Sequence, residues 1–377
     1  MAINLRSPYS VGNTIVTDGY IEYEIFVYTT SKPSTPTYTI RKNYNANFNA
    51  GVIEVSELIR DYLDIFFNGQ YLDSGFALLV EIEYTIYDSN GDEDGSGDYG
   101  VQIALDSYSY FENKGFDVHD KSLAQSNKIV FVPSDTSARI PISTYNSPTV
   151  TFLKNNEIVG SYSFSRSSVA AGQLEYLTLD GEKNYDDYKE RVLEFSDGVL
   201  EESKCLIDFF NEFEIGEADE VRISDDQDNL EIVKVKHLDE CKYEPKRITF
   251  INRFGALQDM YFFKKFVEKM NVRKETYKRN IVSGANYSQY KHQQKEFNTN
   301  AKKSFTLSSG FISEEYNDVF QELLLSEYVW LAVDEKYDVV PINVKTSNII
   351  YKTSLNDRLV EYTIEFEYSF DTINNIR

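Results

Sequence analysis

Three histidines, His119, His237 and His292, and two cysteines, Cys205 and Cys241, are the side chains of this 377-residue chain best suited to soft-metal binding or nucleophile–base chemistry. They are scattered over different regions, and none has the close spacing of a zinc site or a redox pair. HExxH, GxSxG, Walker A and strand-to-helix GxGxxG patterns are all absent from the sequence. Carboxylates are so abundant that a paired-carboxylate glycosidase site gains no support from counting them. The expectation is a protein that is not an enzyme and uses no cofactor and no metal.

Two charged stretches remain. The acidic run Asp88-Ser89-Asn90-Gly91-Asp92-Glu93-Asp94-Gly95 suggests calcium, but an EF-hand loop needs Gly at its sixth position and a bidentate Glu at its twelfth. Counting from Asp88 these are Glu93 and Tyr99; counting from Asn90, Gly95 fits but Val101 does not. A solvated hairpin tip is the better reading. From Lys264 to Lys303, eleven Lys and Arg face three Glu, a local charge of +8 in a chain of net charge −23. Such a run is either a solvated face or a docking surface for an acidic partner, such as an identical subunit. Arg273, Lys274, Lys278 and Arg279 are the candidate docking residues. The strongly negative remainder disfavours direct nucleic-acid binding.

The elements that would position these residues are mostly strands. Ile21, Tyr23, Ile25 and Val27 alternate with polar residues, as do Val80, Ile82, Tyr84 and Ile86. Between them Val55, Leu58, Ile59, Tyr62, Leu63 and Phe66 recur at helical spacing, predicting a helix over 55–67. Together these suggest an immunoglobulin-like β-sandwich over 1–108. Residues 109–128 read as a linker or as an arm lying on a neighbour. A second β-rich domain is expected over 129–245, with a hairpin turning at Asn155-Asn156, although strands between 160 and 245 cannot be placed. A third spans 246–377, with a helix over 313–326 capped by Ser313 and a long closing strand from Val360 to Phe370. The fold class is therefore mainly β, in several domains with few helices. Aromatic residues make up 15% of the chain, with 29 Tyr and 25 Phe, which suits pleated cores and large interfaces. No apolar run is long enough for a membrane helix. The first residues show no apolar core of a secretory signal, so the cysteines are expected to be reduced, with their pairing left open.

Several segments resemble one group of proteins. Met1-Ala2-Ile3-Asn4-Leu5-Arg6-Ser7-Pro8-Tyr9, then Glu240-Cys241-Lys242-Tyr243-Glu244-Pro245 with Phe250-Ile251-Asn252-Arg253-Phe254-Gly255, are similar to structural proteins of short-tailed phages of Bacteroidetes, including the crAss-like phages. So are Phe305-Thr306-Leu307-Ser308-Ser309-Gly310-Phe311-Ile312 and Leu324-Leu325-Ser326-Glu327-Tyr328-Val329-Trp330-Leu331. The resemblance thins between about residues 110 and 235. It implies a ring-forming neck, connector or tail protein of a virion, assembled in the host cytoplasm. Its partners would be identical subunits and other virion proteins, with no membrane involved. It carries over no catalytic residues. Two other readings are a receptor- or carbohydrate-binding module, for which Tyr108-Ser109-Tyr110-Phe111 is the candidate aromatic loop, and a virion-associated hydrolase.

Overall fold

A computed structural model of the chain describes residues 2–13, 18–44, 51–69, 71, 77–111, 117–134, 136–164, 174–180, 218–227, 229–238, 242–284, 286–333, 339–350 and 359–373. Cys205 and Cys241 lie outside them. The protein is mainly β and multi-domain, and each of its three large sheets draws its strands from one segment of the chain.

In the N-terminal segment, the alternating strands Gly19–Tyr28 and Ala77–Asp88 pair antiparallel at the centre of a five-stranded sheet. Tyr38–Tyr44 flanks one side and Glu93–Leu105 the other, with Ala2–Asn4 added in parallel to the latter. Ile21, Tyr23, Ile25, Val80 and Ile82 share the inner face, as period-two alternation requires. That face packs against a thin second layer, the short pair Ser10–Val11 and Ile53–Glu54 plus the helix Ser56–Arg60. The helix is shorter than the expected 55–67. Beyond Arg60 the chain leaves it to carry Phe67 into a pocket beside Tyr176 and Trp330, while Tyr62 and Phe66, read as part of an apolar helix face, are exposed.

The second segment forms a five-stranded sheet from Ile129–Pro133, Thr149–Lys154, Glu157–Ser163, Glu220–Ser224 and Leu230–Leu238, facing the pair Ser137–Ser143 and Leu174–Asp180. Its hairpin turns at Asn155 and Asn156 with φ of 52° and 67°, the left-handed values that a two-residue turn demands and that asparagine tolerates. The third segment builds a seven-stranded sheet, and the helix Asn317–Leu325 buries Val319, Phe320 and Leu323 in its core. That helix follows a short 3-10 turn, Glu314–Tyr316, and the Ser313 side chain makes no capping hydrogen bond, contrary to expectation. The closing strand is also interrupted. Leu359–Val360 pairs with Ile312–Ser313, Thr363–Tyr368 joins the large sheet, and Phe370 is exposed.

The expected linker at 109–128 is corrected by its packing. Among its described residues, Val118, Ser122, Leu123, Ala124, Gln125 and Asn127 are buried within this chain. Its low apolar content is offset by hydrogen bonds. The Ala124 N–H donates to the Pro141 carbonyl and the Ser143 N–H to the Ser122 carbonyl. A file of buried amides then ties it to the third segment. Asn252 Nδ2 donates to the Ala124 carbonyl at 2.8 Å and to Gln258 Oε1 at 2.9 Å, and Gln258 Nε2 donates to Asn127 Oδ1 at 2.8 Å. Asn252 Oδ1 accepts the N–H groups of Phe254 and Ala256, which fixes the turn at Gly255. There φ is +76° and an added Cβ would lie 2.9 Å from Leu105, so glycine is required twice over. Lys121 and Lys128 should therefore resist trypsin in the isolated folded chain. Limited proteolysis followed by mass mapping checks this, and cleavage there as early as at Lys291 would contradict the packing.

Candidate functional site

The basic segment folds as a ribbon. Val267–Lys278 and Gln294–Ser308 pair antiparallel from Val267↔Thr306 out to Lys278↔Gln294. The base of the second strand, Ser304 to Ser308, pairs with Thr363–Tyr368, and just beyond it Asn300 and Ala301 hydrogen-bond Ile373 and Thr372. From about residue 270 the ribbon stands clear of the sheet, and every residue of Val267–Lys278 is exposed. Some ten residues per strand give it a reach of about 30 Å. A tip carrying the small pair Val282–Ser283 and Asn286–Tyr287 closes it, with Tyr290 almost fully exposed.

Alternation sorts its side chains onto two faces. Lys269, Arg273, Tyr277, Lys295 and Phe297 share one, where the Tyr277 and Phe297 rings meet edge to face at 5.4 Å. The other carries the exposed Met270 and Val272, between Lys274 and Lys303. The three acids of the segment are taken up locally. Glu268 pairs with Lys303 at 3.1 Å, Glu296 with Lys274 at 2.6 Å, and Glu275 accepts a hydrogen bond from Asn298. At the base Lys302 pairs with Glu367. Of the four residues expected to dock, Arg273 and Lys278 are exposed with no carboxylate in ion-pairing range among the described residues. Lys274 is held by Glu296, and Arg279 turns its Nε to the His292 carbonyl at 2.8 Å. Reading the charges alone missed Met270, Val272, Tyr277 and Phe297, although each stands at an alternating position among the cations.

The other candidates have structural roles. Asp88 closes its hairpin by accepting the N–H groups of Asn90 and Asp92, and those backbone hydrogen bonds hold its carboxyl below the usual range. His237 Nε2 lies 3.1 Å from the Ala218 carbonyl, far from His292 in the ribbon. Among the described residues no group of three or more His, Cys, Asp or Glu is placed to hold a metal. The aromatic loop at 108–111 does not form an open cluster. Tyr108 is buried beneath Arg6 and Tyr110 packs edge-on against it, leaving Phe111 exposed.

A polar junction that the sequence did not signal joins the first and third segments. Asp106 is buried near Arg6 and Arg60, and Arg60 also bonds Glu327 at 2.6 Å. Arg6 donates to the Leu325 carbonyl at the C-terminus of the helix, where a cation is favoured. On the same helix Glu322 is fully buried and accepts from the Ser126 hydroxyl and the Arg253 N–H. Burial pushes the Glu322 carboxyl up to about 7, against those hydrogen bonds, and that of Asp106 up to about 6, against the two arginines.

No protein-family model matches the chain, and no curated protein matches it. Among solved structures it is similar to trypsin-activated alpha-2-macroglobulin from Escherichia coli, at 7% identity and a TM-score of 0.20. The match covers 97% of this chain and 21% of that one, so the chain spans about a fifth of that protein's length. A likeness this slight bears on neither fold nor function.

Proposed function

We propose that the chain is a structural component of a bacteriophage virion, a ring-forming neck, connector or tail protein that works by contact and not by catalysis. The observation that carries the reading is the basic ribbon, a long exposed hairpin of charge opposite to the rest of the molecule. A lone two-stranded ribbon is marginal in water, so one extending this far gains most from a partner that covers it. The phage assignment rests on the resemblance of segments such as Asn252–Gly255 and Phe305–Ile312, which form the junction turn and the base of the ribbon. Identical subunits and other virion proteins are the partners, and the virion is the location. Mass spectrometry of purified particles should find the chain in stoichiometric amounts. In sedimentation velocity at low salt the purified protein should form a discrete oligomer that weakens as salt rises, since exposed ion pairs are screened. A monomer at every concentration and salt would overturn the reading.

A further inference from the structure

We propose that the acceptor for the ribbon is the open outer face of the N-terminal sheet of a second copy of this chain. The inference rests on the reading that the chain assembles with itself, and it names the surface involved. The inner face of that sheet is covered by its thin second layer. Near Leu79 and Ile103 the outer face meets the third segment, but beyond Glu81 it is open. Strand register places Glu22, Glu24, Glu81, Glu83, Glu93 and Asp98 together there. Against them, among the described residues, stand two cations on the same face. Lys32 bonds Glu81 at 2.7 Å and Glu83, and Arg41 lies 3.4 Å over the Tyr20 ring.

Charge is not all the two surfaces share. Tyr20 and Tyr87 stack at 4.6 Å at one end of the acidic face, and Val101, opposite Glu81, is exposed toward the other. The ribbon face with Lys269, Arg273 and Lys295 has its own aromatic pair, Tyr277 and Phe297. Beyond Glu81 the central strands of the acidic sheet stay open over about seven residues, a length of about 23 Å that takes most of the reach of the ribbon. Ribbon and face are different surfaces of one chain, so each copy can give one and receive the other. Such a head-to-tail contact closes into a ring when its rotation permits. Aromatic and apolar contact supplies the affinity, and the charges set register and encounter rate.

The test exchanges the charges. One variant carries Lys269→Glu, Arg273→Glu and Lys295→Glu; the other carries Glu22→Lys, Glu24→Lys and Glu93→Lys. All six are surface positions, and circular dichroism with a melting curve verifies that each variant folds. In low salt each variant alone should self-associate at least about tenfold more weakly than wild type. An equimolar mixture, and a single chain with all six changes, should recover association. Loss from the ribbon changes alone, with the face changes silent and no recovery in the six-fold chain, would overturn this acceptor while leaving self-assembly standing. A wild-type chain that stays monomeric would overturn both. Should either triple variant fail to fold, Arg273→Glu and Glu24→Lys repeat the exchange in a smaller step with the same criteria.

Discussion

Replacing Asn252 by alanine should destabilise the folded chain by on the order of 4 kcal/mol, among the largest effects of any single polar substitution. The side chain is fully buried and makes four hydrogen bonds, to the Ala124 carbonyl, Gln258 Oε1, and the N–H groups of Phe254 and Ala256. Alanine leaves all four partners buried, and each unsatisfied group costs about 1–3 kcal/mol before any water enters. The loss should spread, because Gln258 passes the network on to Asn127. Chemical denaturation reads the change. Asn271→Ala, on the exposed ribbon, is the matched control and should stay within about 0.5 kcal/mol of wild type. A small effect at Asn252 would mean that the segments around 124 and 252 are not locked together.

The second large effect is on pH. Glu322 and Asp106 hold their protons more tightly in the folded chain than in the unfolded one, where ordinary values near 4.5 and 3.8 apply. The stability they confer is complete below those unfolded values and is lost as pH rises through about 6 and about 7. For Glu322 a shift of this size corresponds to on the order of 3 kcal/mol across that window. The chain should therefore resist denaturant better at pH 5.5 than at pH 8. Glu322→Gln, which cannot ionise, should flatten that slope. The charged groups facing Glu322 are Arg253 and Asp318, and those facing Asp106 are Arg6, Arg60 and Glu327. Should the variant keep the wild-type slope, the pH response must originate elsewhere.

What was legible beforehand follows from where the physics is local. Ile21–Val27 and Val80–Ile86 read correctly as strands because alternation is visible within seven residues. The Asn155-Asn156 turn read correctly because its two residue types tolerate positive φ. Residues 55–67 misled because Tyr62 and Phe66 fall at helical spacing, whereas Phe67 answers to a pocket formed by Tyr176 and Trp330, far along the chain. Segment 109–128 misled for a related reason. A buried amide such as Asn127 looks solvent-loving until its partner Gln258, more than a hundred residues away, is known. At the site, the run of cations was plain, but its division into two faces and the local capture of Lys274 by Glu296 depend on pairing register, which composition does not contain.

The strand order of the third sheet also sets a schedule. Residues of the ribbon leave a ribosome well before Thr363–Tyr368, the strand that anchors its base. Until then the hairpin has one neighbour per strand, the marginal condition for a two-stranded pair. The N-terminal sheet, by contrast, has all its strands once Leu105 has emerged. A nascent copy can thus own the finished face proposed as acceptor long before it owns a rigid ribbon. Under the proposed docking, assembly through the ribbon is timed by translation: growing chains can receive a completed copy, and only completed copies can give.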